Sequence, residues 1–404
     1  MILIPFLTAF FGSLALSTVL LALPLLAIDK FGAGNYQLGL LVAASAVPYT
    51  AMALLSGHVT ERVPIRAHLV TALFTLAAMA FLMPLAPTFP LLVATNAVMG
   101  TSMGLLWAPL ESVVSRLSKP GQIRLNSGRY NTSWSVGMTL GFFSVPLVER
   151  WAHLPLQDWA FSAGSALLLA TGAMLLFLRA PNAQRFEPPI ELDPTAPRSD
   201  VRRRFFLLTA WSGLFVAYVG VGAARNLFPK LATELAISDG TIGLIYGVGL
   251  TVQSVTMGVM GRWGGWHYRR RVVPLGEVGL VIAGVLILLG RTPLVFSMGH
   301  MVLGVSMAVL YSASLYYSMQ DPVDAHRNTS VHEAIIGTAM AVPLLLGKAA
   351  DAFQYTPLSF GAAATLALVL FAVHVAWSRA TFAAPPVPVP APSRNGGPAE
   401  TPNA

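Results

Sequence analysis

Long apolar runs alternate with short polar connections along almost the whole chain. A helix needs about 20 mainly apolar residues to cross a bilayer, and each run is about that long and carries few charges. The runs lack the alternation of apolar and polar residues that is typical of a membrane β-barrel. Twelve membrane-spanning helices are therefore predicted, at 4–28, 37–56, 67–86, 89–113, 127–148, 158–178, 205–228, 239–260, 272–290, 292–318, 329–350 and 357–378.

The composition supports a lipid environment. Of the 404 residues, 55% are hydrophobic and only 10% are charged, whereas soluble domains carry about 25% charged residues. The first apolar run has no basic flank and no cleavage site, so a retained span is expected rather than a signal peptide. The chain has no cysteine, which excludes disulfides and thiolate chemistry.

The basic residues predict the orientation of the chain. If both termini are cytoplasmic, nineteen Lys and Arg residues lie in the inner loops and tail and five in the outer loops, and Arg225 within a span completes the total of 25. Such an excess marks the cytoplasmic side. It also accounts for the net charge of +8 without a nucleic-acid partner. We expect a monomeric integral protein of a bacterial cytoplasmic (inner) membrane, with the lipid bilayer as its surroundings.

An internal repeat divides the chain into two halves. At an offset of about 204 residues, NAVMGTSMG at 96–104 aligns with HMVLGVSMA at 300–308, and QLGLL at 37–41 aligns with TIGLI at 241–245. The predicted fold is all-α and polytopic, with about 12 transmembrane helices in two pseudo-symmetric six-helix bundles. The predicted segments are an N-terminal half at 1–178, a cytoplasmic linker at 179–204, a C-terminal half at 205–379 and a Pro-rich disordered tail at 380–404. A parallel duplication of this kind places a shared pathway between the halves.

The loop between spans 2 and 3 carries a family resemblance. It reads GHVTERVPIR and resembles the major facilitator superfamily pattern Gly-x3-Asp-Arg/Lys-x-Gly-Arg/Lys-Arg/Lys, with Glu in place of Asp and Pro64 in place of Gly. The resemblance covers essentially residues 1–379 and implies secondary transport and a cytoplasmic latch between the halves. The residues assigned to that latch are Gly57, Glu61, Arg62 and Arg66.

Two patterns of the proton-coupled drug exporters in that family are degraded. Asn96 occupies the position of their span-4 Arg, although Gly100 and Gly104 keep the spacing. In span 5, Phe142 follows Gly141 where those exporters have Pro. A drug/proton antiporter is therefore not supported.

Polar residues inside spans are candidate functional groups, because burial in hydrocarbon is costly without a partner or water. Three pairs occupy equivalent positions in the two halves and are candidates for the lining of a substrate cavity, with helix packing as the alternative. These pairs are Asn96 and His300, Tyr49 and Gln253, and Trp107 and Tyr311.

The charged residues inside spans allow two interpretations each. Glu333, beside His332, is either a proton-coupling group or part of a cytoplasmic latch. Arg225 either binds an anionic group of the substrate or pairs with Glu234 or Asp29 near the outer surface. Glu111 and Arg129, at the inner ends of spans 4 and 5, are assigned to the latch and are expected to pair with each other or with the basic loop.

The sequence indicates no enzyme, because it contains no His-Glu-x-x-His pair and no phosphate-binding loop. No metal site and no cofactor are predicted. The predicted function is secondary active transport of a small organic solute by alternating access, with protons as the candidate coupling ion. The alternative is a non-transporting scaffold or sensor derived from the same fold. A cavity between the halves would favour transport, and a solid interface would favour the scaffold.

Overall fold

The computed structural model describes residues 3–119, 122–177, 195–320 and 325–383, and every long element in them is a helix. A short 3-10 turn, Met83–Leu85, follows the third helix. The helices are α1 (Leu3–Phe31), α2 (Asn35–Arg62), α3 (Ile65–Leu82), α4 (Phe89–Leu117), α5 (Ile123–Ala152), α6 (Leu156–Phe177), α7 (Asp200–Asn226), α8 (Phe228–Glu234), α9 (Asp239–Arg262), α10 (Val272–Leu289), α11 (Pro293–Met319), α12 (Ala325–Ala341), α13 (Pro343–Ala352) and α14 (Leu358–Ala383).

Two of the predicted spans are broken helices. α7 and α8 are separated at Leu227 just before Pro229, and α12 and α13 are separated at Val342 just before Pro343. A proline inside a helix removes a backbone donor and clashes with the preceding turn, so both breaks have a local cause. With each broken pair counted once, the described residues form twelve crossing units. Eleven are long and apolar enough to span a membrane, and α5 is the twelfth.

The repeat predicted from the sequence is also present in the packing. A Cβ built on Gly100 of α4 would lie 2.1 Å from the carbonyl oxygen of Ser45 on α2. At an offset of 204 residues, a Cβ on Gly304 of α11 would lie 2.2 Å from the carbonyl oxygen of Gly249 on α9. Only glycine permits backbones to approach this closely. The same helix crossing therefore occurs in both halves, as the two-bundle fold requires.

The halves meet mainly through α5 against α9 and through α2 against α12 and α13. At the end of the molecule where α1 begins and α14 ends, which we call the termini end, Gly128 and Gly261 bring α5 and α9 together. A Cβ on Gly128 would lie 2.6 Å from the Cα of Gly261. At the opposite end, one core of buried side chains includes residues of both halves, such as Leu26 and Phe228.

Helix boundaries differ from two predicted segment limits. α7 begins at Asp200, inside the segment predicted as linker, and its first turn is held by a hydrogen bond from Arg203 to Asp200. α14 continues to Ala383, four residues into the predicted tail, where the Phe382 ring lies under the Arg202 and Arg270 side chains. Residues 179–194 of the predicted linker and 384–404 of the predicted tail lie outside the described residues.

Candidate functional site

A cavity of about 150 Å³ lies between the two halves, near the middle of the molecule. Helices α1, α2, α4 and α5 of the first half and α7, α11 and α12 of the second half contribute to its walls. The walls are largely aromatic, and the rings pack edge to face, with Trp134 and Tyr311 centroids 5.6 Å apart. The aromatic lining residues are Tyr49, Trp107, Tyr130, Trp134, Tyr218 and Tyr311.

Two carboxylates, one from each half, lie at the pole of the cavity nearer the termini end. Glu111 is on α4 and Glu333 is on α12, and the two residues are 1% and 2% exposed. Tyr311 donates a 2.8 Å hydrogen bond to Oε1 of Glu111, and Tyr49 donates one to Oε2 of Glu333. Each carboxylate is thus held by a tyrosine hydroxyl from another helix.

His332 lies behind this acidic pair and is fully buried. Its Nδ1 is 2.8 Å from the hydroxyl of Ser314, and its Nε2 is 3.9 Å from Oε1 of Glu333. One ring nitrogen is therefore fixed by α11 and the other is directed towards the carboxylates.

Arg225 lies at the other pole of the cavity, two turns along α7 from Tyr218 and about 10 Å farther along the helix axis. Its Nη2 approaches the sulfur of Met138 at 3.8 Å. Among the described residues it forms no ion pair. The acids expected as partners are used elsewhere, since Gln157 donates to Asp29 and Thr356 donates to Glu234. The cavity thus has two acidic side chains at one pole and a basic side chain at the other.

The other residues predicted from the sequence fall into three environments. Tyr49, Trp107 and Tyr311 line the cavity with Arg225 and Glu333. Gln253 and His300 line a neighbouring cavity of about 50 Å³, which also contacts Arg225. Asn96 lines neither of these two cavities, because its amide donates a 2.6 Å hydrogen bond to the carbonyl oxygen of Leu41 on α2.

Glu111 faces Glu333 and Tyr311 within the cavity, and in the described part of the chain it forms no ion pair with Arg129. Arg129 is exposed and lines a separate groove at the termini end with Arg262 and the first turns of α1. Arg66 is half-buried in the first turn of α3. The side chains of Gly57, Glu61 and Arg62 lie outside the described part of the chain.

A polar contact between the halves at the end opposite the termini was missed by the sequence analysis. The carboxylate of Asp351 on α13 accepts hydrogen bonds from the backbone nitrogens of Asn35 and Tyr36, at 3.1 and 2.7 Å. It also accepts a 2.9 Å hydrogen bond from the Asn35 amide. A residue of the second half therefore caps the first turn of α2. No local motif marks such a cap, because its donors and acceptor are 316 residues apart.

A buried acid in the C-terminal half was also missed. Glu277 on α10 is fully buried, and its Oε1 lies 2.6 Å from Nδ1 of His374 on α14. Nε2 of the same histidine is 2.8 Å from the hydroxyl of Ser212 on α7. All three residues belong to the C-terminal half and lie away from the cavity. A lone Glu inside the apolar run at 272–290 was the available signal.

Comparison with known proteins agrees with this architecture. Among solved structures, the human organic anion transporter MFSD10 (TETRAN) is 19% identical, with a TM-score of 0.66 over 92% of this chain and 98% of that one. A variant of the nucleoside transporter NupG is 12% identical, with a TM-score of 0.71 over 93% and 99% of the two chains. At such identities the likeness shows the fold alone. No curated protein matches the sequence.

The sequence profile described as Major Facilitator Superfamily matches residues 5–224, which is more than half of the chain. The match begins in α1 and ends within α7 at residue 224, directly before Arg225. This chain belongs to the major facilitator superfamily.

Proposed function

We propose that the protein is a proton-coupled secondary transporter of a small organic anion that works by alternating access. The family and the fold support a membrane transporter. The observation that carries the finer proposal is the cavity between the halves, with a carboxylate from each half at one pole and an arginine at the other. A scaffold or sensor has no need of such a cavity, so the cavity favours transport over that alternative.

The acidic pair supplies a physical route to proton coupling. Two adjacent carboxylates in a water-poor site repel each other strongly when both are charged, so we expect the pair to share at least one proton while the halves are together. Movement of α4 away from α12 admits water and removes the repulsion, so the same proton is then released more easily. Protonation and the relative position of the halves are in this way linked.

The opposite pole indicates the charge of the solute. Arg225 has no carboxylate partner among the described residues and is directed into the cavity, where an anionic group would complete its hydrogen bonding. The aromatic walls fit a planar organic part, and the cavity volume of about 150 Å³ fits a small molecule. We therefore infer a small solute with one anionic group and a planar, apolar body.

The charge asymmetry of the loops supports an orientation with the termini end on the cytoplasmic side of a bacterial inner membrane. In that orientation the acidic pair lies on the cytoplasmic side of the solute and Arg225 on the outer side.

The test begins with purified protein and a library of small organic anions, screened by thermal stabilisation in detergent, because a bound ligand raises apparent stability by mass action. A hit is then assayed in proteoliposomes in two modes, accumulation driven by a pH gradient and counterflow exchange without one. Glu333→Gln should abolish gradient-driven accumulation and leave exchange intact.

The matched control is Glu277→Gln, a buried carboxylate in a span of the C-terminal half but outside the cavity, which should retain both modes. Loss of both modes in Glu333→Gln, or of neither, would contradict proton coupling through this residue. A library of solutes without a hit would favour the scaffold alternative.

A further inference from the structure

We propose that Glu111, His332 and Glu333 together bind a divalent first-row transition metal ion. One potential donor atom from each of these side chains lies within 4.8 Å of the other two. The sequence predicts no metal site, because the glutamates are 222 residues apart and no local spacing connects them. The proposal deepens the proposed function, since it uses the same acidic pair, and it is tested separately from it.

Each carboxylate has one oxygen held in place and one available. Oε1 of Glu111 accepts from Tyr311 at 2.8 Å, whereas its buried Oε2 has no hydrogen-bond partner among the described residues. Oε2 of Glu333 accepts from Tyr49, and its Oε1 is the atom that faces His332. Hydrogen bonds of this kind orient metal-ligating carboxylates in known sites.

His332 likewise has one ring nitrogen in a hydrogen bond and one without a partner among the described residues. Nδ1 of His332 is bound to the Ser314 hydroxyl at 2.8 Å, which fixes the ring. Nε2 is buried and has no hydrogen-bond partner in the described part of the chain, and it lies 3.9 Å from Oε1 of Glu333. In known metal sites, the histidine nitrogen that does not bind the metal commonly forms a hydrogen bond with such a partner. An unpartnered ring nitrogen and an unpartnered carboxylate oxygen thus point into one small space.

The charge of the site fits a divalent cation. Two carboxylates carry a charge of −2 when ionised, and a divalent ion neutralises both in a medium where uncompensated charge is costly. Among the described residues that line the cavity, the basic one is Arg225, and it lies at the opposite pole. A basic side chain therefore does not already occupy this position.

The donor set narrows the class of metal. Two carboxylate oxygens and one imidazole nitrogen suit Mn²⁺, Fe²⁺, Co²⁺ or Zn²⁺, whereas Cu⁺ prefers sulfur and Ca²⁺ prefers oxygen ligands alone. Three protein ligands leave coordination positions open for water or for a group of the solute. Glu111 and Glu333 both line the cavity, so an ion that they hold lies next to the space proposed for the solute.

The test uses tag-free protein freed of metal by chelation, because a polyhistidine tag would itself bind the probe. Mn²⁺ is titrated in, and its free concentration is read from the six-line EPR signal. The expected result is one bound Mn²⁺ per chain, with affinity at least ~10-fold weaker in Glu111→Gln and in Glu333→Gln and unchanged in Glu277→Gln. Tyr311→Phe keeps all three ligands and should weaken binding by about 10-fold through the lost orienting hydrogen bond.

Failure to bind Mn²⁺ or competing Zn²⁺ in the unaltered protein would overturn the proposal without reference to any variant. Binding that is equally strong in both glutamate variants would also overturn it, because the ion would then lie elsewhere. The proposed proton coupling and the proposed metal site can be refuted independently. Gradient-driven uptake by a protein that binds no metal would refute only the metal site, and metal binding by a protein without gradient-driven uptake would refute only the proton coupling.

Discussion

Removal of the Asp351 carboxylate should open the end of the molecule opposite the termini. This carboxylate accepts two backbone hydrogen bonds and one amide hydrogen bond from the start of α2, so it joins the C-terminal half to the N-terminal half. Asp351→Ala removes all three hydrogen bonds and leaves the first turn of α2 without its cap.

The expected size follows from these contacts. A helix cap is worth about 1 kcal/mol, and a hydrogen bond to a charged group about 1.5–3 kcal/mol when it is buried. Asp351 is exposed, so we discount the sum to about 2 kcal/mol. That corresponds to a roughly 30-fold shift of the equilibrium between closed and open states. If the open state starts at about 1%, it should rise to about a quarter of the population.

The measurement is a spin-label distance across the opposite end. The chain has no native cysteine, so Thr88→Cys and Leu294→Cys place one label on each half without removal of any other thiol. Both positions lie at that end of the molecule, and Leu294 is 71% exposed. The distance distribution should gain a longer component in Asp351→Ala.

Asp200→Asn is the control, because the Asp200 carboxylate also contacts the first turn of a helix but, among the described residues, bonds only Arg203 of its own helix. It should leave the distribution unchanged. A distribution in Asp351→Ala that matches the parent protein, or an equal change in the control, would refute the idea that this carboxylate holds the halves together.

Three further outcomes are expected. Gly100→Ala should lower the melting temperature, since its Cβ would lie 2.1 Å from a backbone oxygen, whereas Gly220→Ala, with its nearest neighbour at 3.6 Å, should be neutral or stabilising by up to about 1 kcal/mol. Glu277→Ala, unlike the conservative Glu277→Gln, should destabilise the protein by a few kcal/mol in thermal unfolding, because it leaves the buried His374 without its partner, and an unchanged melting temperature would contradict that role. Arg225→Gln should abolish the thermal stabilisation given by an anionic hit while Arg225→Lys keeps part of it, and equal retention in both would exclude Arg225 from solute binding.

The fold could be predicted from the sequence because its determinants are local or repetitive. Span length follows from the thickness of the bilayer, and the repeat places Gly100 and Gly304 at equivalent crossings. Pro229 and Pro343 also mark the two breaks. The predicted span 205–228 ends directly before the first proline, whereas the predicted span 329–350 continues across the second. Each of these features depends on residues that are near neighbours in sequence or on a fixed offset.

The site could be predicted only in part, because it depends on how helices are rotated about their own axes. Tyr49, Trp107 and Tyr311 were found as equivalent polar positions in the two halves. Glu111 was assigned to a loop latch because it lies near the end of its span, yet the rotation of α4 turns it towards Glu333. The sequence gives the depth of a side chain in a helix, and its direction is set by packing against helices far away in the chain.

The two buried glutamate–histidine clusters differ in a way that decides which of them can couple to motion. Glu277 and His374 lie on α10 and α14 of the same half, so rocking of one half against the other leaves their separation unchanged. Glu111 and Glu333 lie on α4 and α12 of different halves, so the same rocking changes their separation directly. Because the energy of two like charges depends steeply on distance in a medium of low polarity, we propose that the second cluster, and not the first, links movement of the halves to proton or cation affinity.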